Sequence, residues 1–140
     1  MNMLFQNNKH DWQSLYPFQS RYARIGGYRY HYVDEGSGSP IVMLHGNPGW
    51  SFYYRHLISA FQGEWRMIAP DHMCCGLSDK PGKYDYSLEQ HIRNLDYLLE
   101  DVLNLQEVNL VVHDWGAAIG LGYAVNHPDK VRKVFIQNSA

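Results

Sequence analysis

The feature that most constrains the fold is an apolar run that breaks off at an acidic residue. Residues 108–112 read Val-Asn-Leu-Val-Val, Asp114 stands two positions later, and the small residues 116–118 follow. A buried strand that turns sharply into a helix holds the corner side chain above the sheet, and small residues allow the close packing that the turn requires. The stretch therefore predicts a strand, a turn and a helix with Asp114 at the corner and Gly120 on the helix face toward the sheet.

The corner residue is a carboxylic acid, whereas the usual form of such a corner has serine. A carboxylate is ionised at neutral pH, so it attacks an electrophilic carbon without a base and forms an ester with the protein. Backbone N–H groups at the start of the next helix would stabilise negative charge developing beside it. Asp is also a favoured N-cap, so capping of the helix that begins near Trp115 is the alternative role for Asp114, and both roles can coexist.

A second stretch places a polar loop after a neighbouring strand. Residues 41–44 are an apolar run typical of a strand buried on both faces, and residues 45–50 follow as a loop that contains Asn47. Ligands of parallel α/β sheets bind outside the carboxyl ends of the strands. Because Asn47 and Asp114 both follow such ends, the pattern predicts that they lie near one site.

These two stretches resemble the motifs of a known superfamily. A strand that ends in His-Gly, followed later by the acidic corner, is similar to the oxyanion loop and nucleophile of the α/β-hydrolases, and the resemblance covers nearly the whole chain. Residues 45–48 (His-Gly-Asn-Pro) together with residues 113–116 (His-Asp-Trp-Gly) look like the haloalkane dehalogenase family. Residues 71–72 and 76–81 look closer still to its relatives, the β-lactone decarboxylases of bacterial olefin biosynthesis.

The resemblance implies a role for each site residue. Asp114 is the implied nucleophile, and Asn47 and Trp115 are the implied donors that stabilise the leaving group and the oxyanion. The amide NH₂ and the indole N–H both donate without formal charge. The implied reaction converts a cis-β-lactone to an alkene and CO₂, and the alternative is hydrolysis of a haloalkane to an alcohol and a halide. Epoxide hydrolysis comes third, because epoxide hydrolases usually have a bulky aromatic residue in place of Asn47. No cofactor is implied.

The loop over residues 71–83 contains two features that need separate interpretation. Asp71 follows a strand and is interpreted as a structural residue that accepts hydrogen bonds from nearby N–H groups. Cys74 and Cys75 stand where the family pattern has Gly and Met, which leaves the choice of substrate open. Neighbouring Cα atoms lie about 3.8 Å apart, too close for an ordinary disulfide, and no metal site is predicted because a zinc-type ligand spacing is missing.

None of the histidines is suited to act as the general base. His113 adjoins Asp114, but consecutive strand residues point to opposite faces of a sheet. His45 fits a structural role, and His127 lies at the far end of the helix after the corner. By resemblance the base and its orienting acid are expected beyond Ala140, so these 140 residues alone are expected to form the ester without turning over. A non-catalytic assembly module that keeps part of the fold is the alternative from another class.

The remaining patterns predict an α/β fold: a doubly wound, mainly parallel sheet with an N-terminal antiparallel hairpin at Gly26-Gly27. Strands are predicted over residues 20–25, 28–34, 41–44, 65–69, 108–113 and 131–136. Helices are predicted over residues 51–61, from Ser87 along an apolar face to Leu103, and over residues 116–126. Residues 1–19 are predicted to be an irregular lead-in, and residues 20–140 the N-terminal part of an α/β-hydrolase core without the cap and C-terminal strands.

Composition and charge exclude several classes of partner. The formal net charge is −2, which favours neither nucleic acid nor an anionic membrane. No apolar run approaches the ~20 residues that span a bilayer, and the first residues lack a signal-like pattern. The expected location is the cytoplasm. The expected partners are a small hydrophobic substrate and, beyond it, the rest of the hydrolase or other olefin-pathway proteins.

Overall fold

One mixed sheet of six strands organises the chain, which the computed structural model describes from residue 12 to residue 139. The strands are β1 (Arg21–Ile25), β2 (Tyr28–Glu35), β3 (Pro40–Leu44), β4 (Arg66–Pro70), β5 (Val108–His113) and β6 (Val131–Gln137). They lie in the order β1-β2-β4-β3-β5-β6, with β1–β2 and β2–β4 antiparallel and the other pairs parallel. The predicted fold class is confirmed, and every predicted strand boundary lies within one residue of the observed one.

The N-terminal lead-in is only partly open to comparison. Residues 1–11 lie outside the described residues, and Trp12–Leu15 form a single 3₁₀ turn. Tyr16 is buried, and its ring packs against that of Trp50, with 5.2 Å between the ring centroids. The aromatic residues of this segment therefore contribute to packing beside the sheet.

The helices follow the predicted order but differ in detail from the predicted segments. They are α1 (Arg55–Phe61), α2 (Leu88–Tyr97) and α3 (Trp115–Asn126). A 3₁₀ turn, Ser51–Tyr54, forms the first part of the segment predicted as one helix, and a π-helical turn, Leu98–Val102, extends α2. The predicted cap of α2 is confirmed, because the Ser87 side chain accepts a hydrogen bond from the backbone N–H of Gln90. None of the helices within residues 12–139 is long and apolar enough to cross a membrane.

Two apolar clusters lie on opposite faces of the sheet, which makes the fold doubly wound. On β3, Val42 and Leu44 belong to the cluster that α2 and α3 cover, whereas Met43 belongs to the cluster that α1 covers. All three side chains are wholly buried. Consecutive strand residues point to opposite faces, so an uninterrupted apolar run is what a strand covered on both sides requires.

Two glycines allow α3 to lie directly against the sheet. A Cβ on Gly116 would stand 2.2 Å from the carbonyl oxygen of Leu44, and one on Gly120 would stand 2.7 Å from Cγ1 of Val112. Any side chain at these positions would push the helix away from β3 and β5. The predicted contact of Gly120 with the sheet is confirmed, and the close approach of Gly116 to Leu44 places the start of α3 at the carboxyl end of β3.

Candidate active site

Asp114 occupies a strained corner between β5 and α3. Its backbone has φ 51° and ψ −125°, a region that residues other than glycine rarely adopt and that costs on the order of 1–3 kcal/mol. Its side chain makes no N-cap hydrogen bond to α3, so the capping interpretation has no hydrogen bond to support it. The corner instead presents an exposed carboxylate at the carboxyl end of β5.

The Asp114 carboxylate accepts a hydrogen bond from the neighbouring loop. The backbone N–H of Asn47 donates to Oδ2 of Asp114 at 3.0 Å. The backbone N–H groups of Trp115 and Asn47 together hold the pKa of the Asp114 carboxyl below its ordinary value. The side chain is therefore ionised at neutral pH, as a carboxylate nucleophile must be.

The approach of the two loops depends on a residue without a side chain. A Cβ on Gly46 would lie 2.4 Å from Cβ of Asp114 and 2.6 Å from its Oδ2. Only glycine allows the loop after β3 to come this close to the corner. The structure thus brings Asn47 and Asp114 into direct contact and places Trp115, the next residue along, at the same edge of the sheet.

A cavity of about 280 Å³ opens beside this contact. Asn47 and Trp115 form one part of its wall. Met73, Cys74 and His91, among others, form the remainder. Trp115 is 41% exposed, so its indole is accessible to a ligand. The cavity therefore combines uncharged N–H donors with a carboxylate bonded to one of its lining residues.

Asp71 belongs to the support of this edge, as predicted. Its carboxylate accepts backbone hydrogen bonds from Ser51 at 2.7 Å and Leu77 at 2.8 Å, and it lies 2.9 Å from Nδ1 of His31. Burial acts to raise the pKa of the Asp71 carboxyl, but His31 and these N–H groups outweigh it and hold the pKa below its ordinary value. With these partners, the buried carboxylate of Asp71 connects the loop after β4 to β2 and to the 3₁₀ turn Ser51–Tyr54.

The histidines lie in two kinds of surroundings. His113 stacks on the ring of Tyr53, with 5.0 Å between centroids, and His127 bonds to Asp96 at the far end of α3. His45 and His72 are both buried, and His72 lines the cavity. Within residues 12–139 no histidine hydrogen-bonds to Asp114, and no group of three or more potential ligand side chains is arranged to hold a metal ion.

Sequence reasoning missed the contact between His45 and His72. The backbone N–H of His72 donates to Nε2 of His45 at 3.0 Å, and Nε2 of His72 lies 3.0 Å from the carbonyl oxygen of His45. The centroids of their rings lie 4.1 Å apart. Burial lowers the pKa of both imidazoles. The two residues are 27 positions apart, so periodicity gives no sign that they meet.

Comparison with known proteins agrees with this geometry. A family model described as "alpha/beta hydrolase fold" matches residues 39–140. The chain is 49% identical over 129 residues to a cis-3-alkyl-4-alkyloxetan-2-one decarboxylase of Shewanella oneidensis, covering 90% of this chain and 40% of that protein. It is 42% identical over 125 residues to haloalkane dehalogenase 2 of Mycobacterium tuberculosis, covering 89% of this chain and 43% of that one.

Solved structures show the same likeness. The crystal structure of the haloalkane dehalogenase DatA from Agrobacterium tumefaciens superposes with a TM-score of 0.80 at 40% identity, covering 86% of this chain and 41% of that one. The epoxide hydrolase CorEH superposes with a TM-score of 0.80 at 33% identity, covering 87% of this chain and 42% of that one. The chain spans about two fifths of the length of the proteins that it matches.

Proposed function

The chain belongs to the alpha/beta hydrolase fold family, and from that premise we propose that it bears the nucleophile of a cis-β-lactone decarboxylase. One observation supports the proposal above all. The carboxylate of Asp114 stands at a strained corner, bonded to the N–H of Asn47 and followed by the exposed indole of Trp115. The 49% identity to a protein named for decarboxylation of a four-membered lactone favours that substrate class.

The proposed reaction opens the lactone and then expels CO₂. Asp114 attacks the ring carbon that is bonded to the ring oxygen and is not the carbonyl carbon. The bond between that carbon and the ring oxygen breaks, and the ring oxygen leaves as part of a carboxylate. The side-chain N–H groups of Asn47 and Trp115 stabilise that developing anion. The substrate carboxylate then departs as CO₂, its bonding electrons form the alkene, and the Asp114 ester bond breaks. The free Asp114 carboxylate is restored without water or a base, so the expected lack of turnover applies to the haloalkane and not to the lactone.

Haloalkane hydrolysis is the second candidate and makes a different demand on the site. Asp114 displaces the halide, and Asn47 and Trp115 stabilise it as it leaves. The ester must then be cleaved by water with the help of a base, which by resemblance lies beyond residue 140. Likeness to haloalkane dehalogenases supports this candidate, and Asn47 in place of a bulky aromatic residue ranks it above epoxide hydrolysis.

Mass spectrometry of the intact chain distinguishes the candidates. A dehalogenase would carry one alkyl group on Asp114 and release one equivalent of halide after incubation with a 1-haloalkane, and would give no alkene from a cis-β-lactone. A decarboxylase, the outcome that we expect, would release CO₂ and an alkene into the headspace from the lactone. Asp114→Asn should abolish all of these products, whereas the exposed control Asp101→Asn should leave them unchanged. Adducts or products that persist in Asp114→Asn would remove Asp114 as the nucleophile.

The proposal extends to the organisation of the whole protein. We propose that residues 20–140 form the N-terminal part of a hydrolase core, on the support of the two-fifths coverage of its relatives. A small hydrophobic substrate is the proposed ligand, with the rest of the hydrolase or other olefin-pathway proteins as further partners. The free thiols of Cys74 and Cys75 support a reducing compartment, for which we propose the cytoplasm. A non-catalytic assembly module would instead yield neither adduct nor product with any substrate.

A further inference from the structure

We infer that His72 is a positioning residue that acts through His45 to aim the backbone N–H of Asn47 at Asp114. The inference rests on the proposed role of Asp114 as the nucleophile. Neither imidazole touches the carboxylate, so the role is indirect. Three linked hydrogen bonds between buried groups beside the cavity support it.

The hydrogen bonds show which nitrogen of each imidazole donates to its partner. Nε2 of His45 accepts the backbone N–H of His72 at 3.0 Å, so that nitrogen has no proton. The proton of His45 is therefore on Nδ1, which donates to the carbonyl oxygen of Gly46 at 2.8 Å. Nε2 of His72 faces the carbonyl oxygen of His45 at 3.0 Å, and since a carbonyl only accepts, this nitrogen has the proton.

The hydrogen bond from His45 to Gly46 determines the direction of the backbone N–H of Asn47. The carbonyl of Gly46 and the N–H of Asn47 belong to one planar peptide unit. Holding that carbonyl with Nδ1 of His45 fixes the plane, and the N–H on the same unit then donates to Oδ2 of Asp114 at 3.0 Å. A hydrogen bond to the carbonyl also polarises the amide and strengthens what its N–H donates.

His72 is needed because His45 alone leaves the start of the loop free to turn. The two hydrogen bonds between them bind the ring and the carbonyl of His45 to the loop after β4. That loop is anchored in turn by the hydrogen bonds from Ser51 and Leu77 to Asp71. The peptide between Gly46 and Asn47 is thus anchored to the sheet through a chain of buried hydrogen bonds.

Packing alone does not account for an imidazole at position 72. Nδ1 of His72 is buried without a hydrogen-bond partner, and the residue is 2% exposed. A buried unpartnered polar atom costs about 1–3 kcal/mol, a cost that leucine of similar size would avoid. The donor at Nε2, which leucine lacks, is what the imidazole provides in return.

The test compares variants that keep or lose this donor. His72→Gln places an amide N–H near the position of Nε2, His72→Asn places it near Nδ1 instead, and His72→Leu removes it. His91→Leu is the matched control, because His91 lines the same cavity and contacts the ring of His72 but does not bond to the loop. Using Gln and Asn as a polar pair keeps the comparison open if the leucine variant folds poorly.

Two NMR measurements report positioning without any turnover. We expect the amide of Asn47 to exchange at least tenfold faster in His72→Asn and His72→Leu than in the wild type, and the ¹³Cγ resonance of Asp114 to titrate at higher pH. His72→Gln and His91→Leu should resemble the wild type in both. The rate of ester formation with a 1-haloalkane, or of alkene release from a cis-β-lactone, should fall at least tenfold in the same two variants and stay near the wild-type rate in His72→Gln, with thermal unfolding recorded for each. His91→Leu is the control for the two NMR measurements only, because His91 lines the cavity.

The outcomes separate this inference from the proposed function. If His72→Asn exchanges and titrates like the wild type, or if His72→Gln is perturbed as strongly as His72→Asn, His72 does not position Asn47. If the wild type neither forms an ester with a 1-haloalkane nor releases an alkene from a cis-β-lactone, the proposed function fails, but the exchange of Asn47 and the titration of Asp114 still decide whether His72 orients the loop.

Discussion

The carboxyl ends of β3 and β5 and the outer strand β6 differ in how closely neighbouring groups surround them. At the carboxyl ends of β3 and β5, backbone and side chains are held from several directions, and Gly46 and Gly116 have no room even for a methyl group. On β6, Phe135 is 64% and Ile136 is 52% exposed, although neighbouring strand residues face opposite sides of the sheet. Apolar side chains are thus uncovered on both faces of the carboxyl-terminal half of β6, a pattern typical of an interior parallel strand.

This difference shows where the chain can hold strain. Asp114 has a backbone conformation that persists only where its surroundings over-determine it, and the contacts around Gly46 and Gly116 provide those surroundings. Nothing comparable fixes β6 on its outer side within the described residues. The site is therefore a property of the well-packed edge, and its geometry should respond to changes there far more than to changes on β6.

The largest effect is expected from filling the space at Gly116. In Gly116→Ala the new Cβ would lie 2.2 Å from the carbonyl oxygen of Leu44 and 2.7 Å from that of His45, and backbone atoms cannot rotate away. We expect the free energy of unfolding to fall by about 3 kcal/mol, the upper range for overpacking. Urea denaturation measures it.

Gly63→Ala is the control for that change, because a Cβ on Gly63 meets nothing within 4 Å. Its effect on the free energy of unfolding should stay within about 0.5 kcal/mol. Equal losses in the two variants would mean that the close approach of α3 to β3 does not set the cost at Gly116.

Acid should weaken the same edge through its buried imidazoles. Burial lowers the folded-state pKa of His45 and His72 below the ordinary value of 6.5, so below that pH the unfolded chain takes up protons that the folded chain refuses. Their contribution to stability is fully present above pH 6.5 and is lost as pH falls toward the folded pKa values. Each contributes at most about 1.4 kcal/mol per pH unit.

Urea denaturation at pH 7, 6 and 5 checks this dependence against His72→Gln, which lacks one titrating group. The slope of stability against pH should be smaller in the variant by up to about 1.4 kcal/mol per pH unit. Asp71, whose pKa is also lowered, loses its stabilising effect only below its unfolded value of 3.8 and does not enter this range. Parallel slopes in the two proteins would show that His72 accepts protons freely in the fold.

The same contrast separates what the sequence could predict from what it could not. The hairpin, the strands and the corner at Asp114 are local patterns, because apolar runs and Gly-Gly turns depend on neighbouring residues. Asn47 and Asp114 could be placed together because parallel strands end at one edge. The hairpin, the strands and the shared edge of Asn47 and Asp114 therefore follow from the order of residues along the chain.

Features that depend on tertiary geometry were not predictable in this way. The 3₁₀ turn Ser51–Tyr54 and the π turn Leu98–Val102 share the apolar spacing of an α-helix, so periodicity does not distinguish them. The contact of His45 with His72 joins two loops across the sheet edge. Cys74 has φ 79°, a conformation favoured for glycine, and nothing in its chemistry signals that backbone.

Removing the strain at Cys74 should stabilise the protein modestly. Cys74→Gly relieves a positive φ that costs a residue with a Cβ about 1–2 kcal/mol, and the greater freedom of glycine in the unfolded chain offsets up to about 1 kcal/mol of this gain. We expect a net gain of about 0.5–1 kcal/mol in thermal or urea unfolding. Cys75→Gly, at a position without positive φ, should destabilise instead. A loss of stability in both variants would show that the Cys74 side chain makes contacts worth more than its strain.

The smallest effect on folding is expected on β6, where association should change instead. Phe135 is 64% exposed, so Phe135→Ser removes little buried area, and the free energy of unfolding should change by no more than about 0.5 kcal/mol. An exposed apolar edge strand favours pairing with another chain, so sedimentation velocity should show less self-association in this variant than in the wild type. Lys133→Ser is the matched control, since Lys133 is exposed on the same face two residues away, and it should associate like the wild type. A large loss of stability in Phe135→Ser, with association unchanged, would show that Phe135 packs within the folded chain. The distinction between β6 and the carboxyl ends of β3 and β5 would then be wrong.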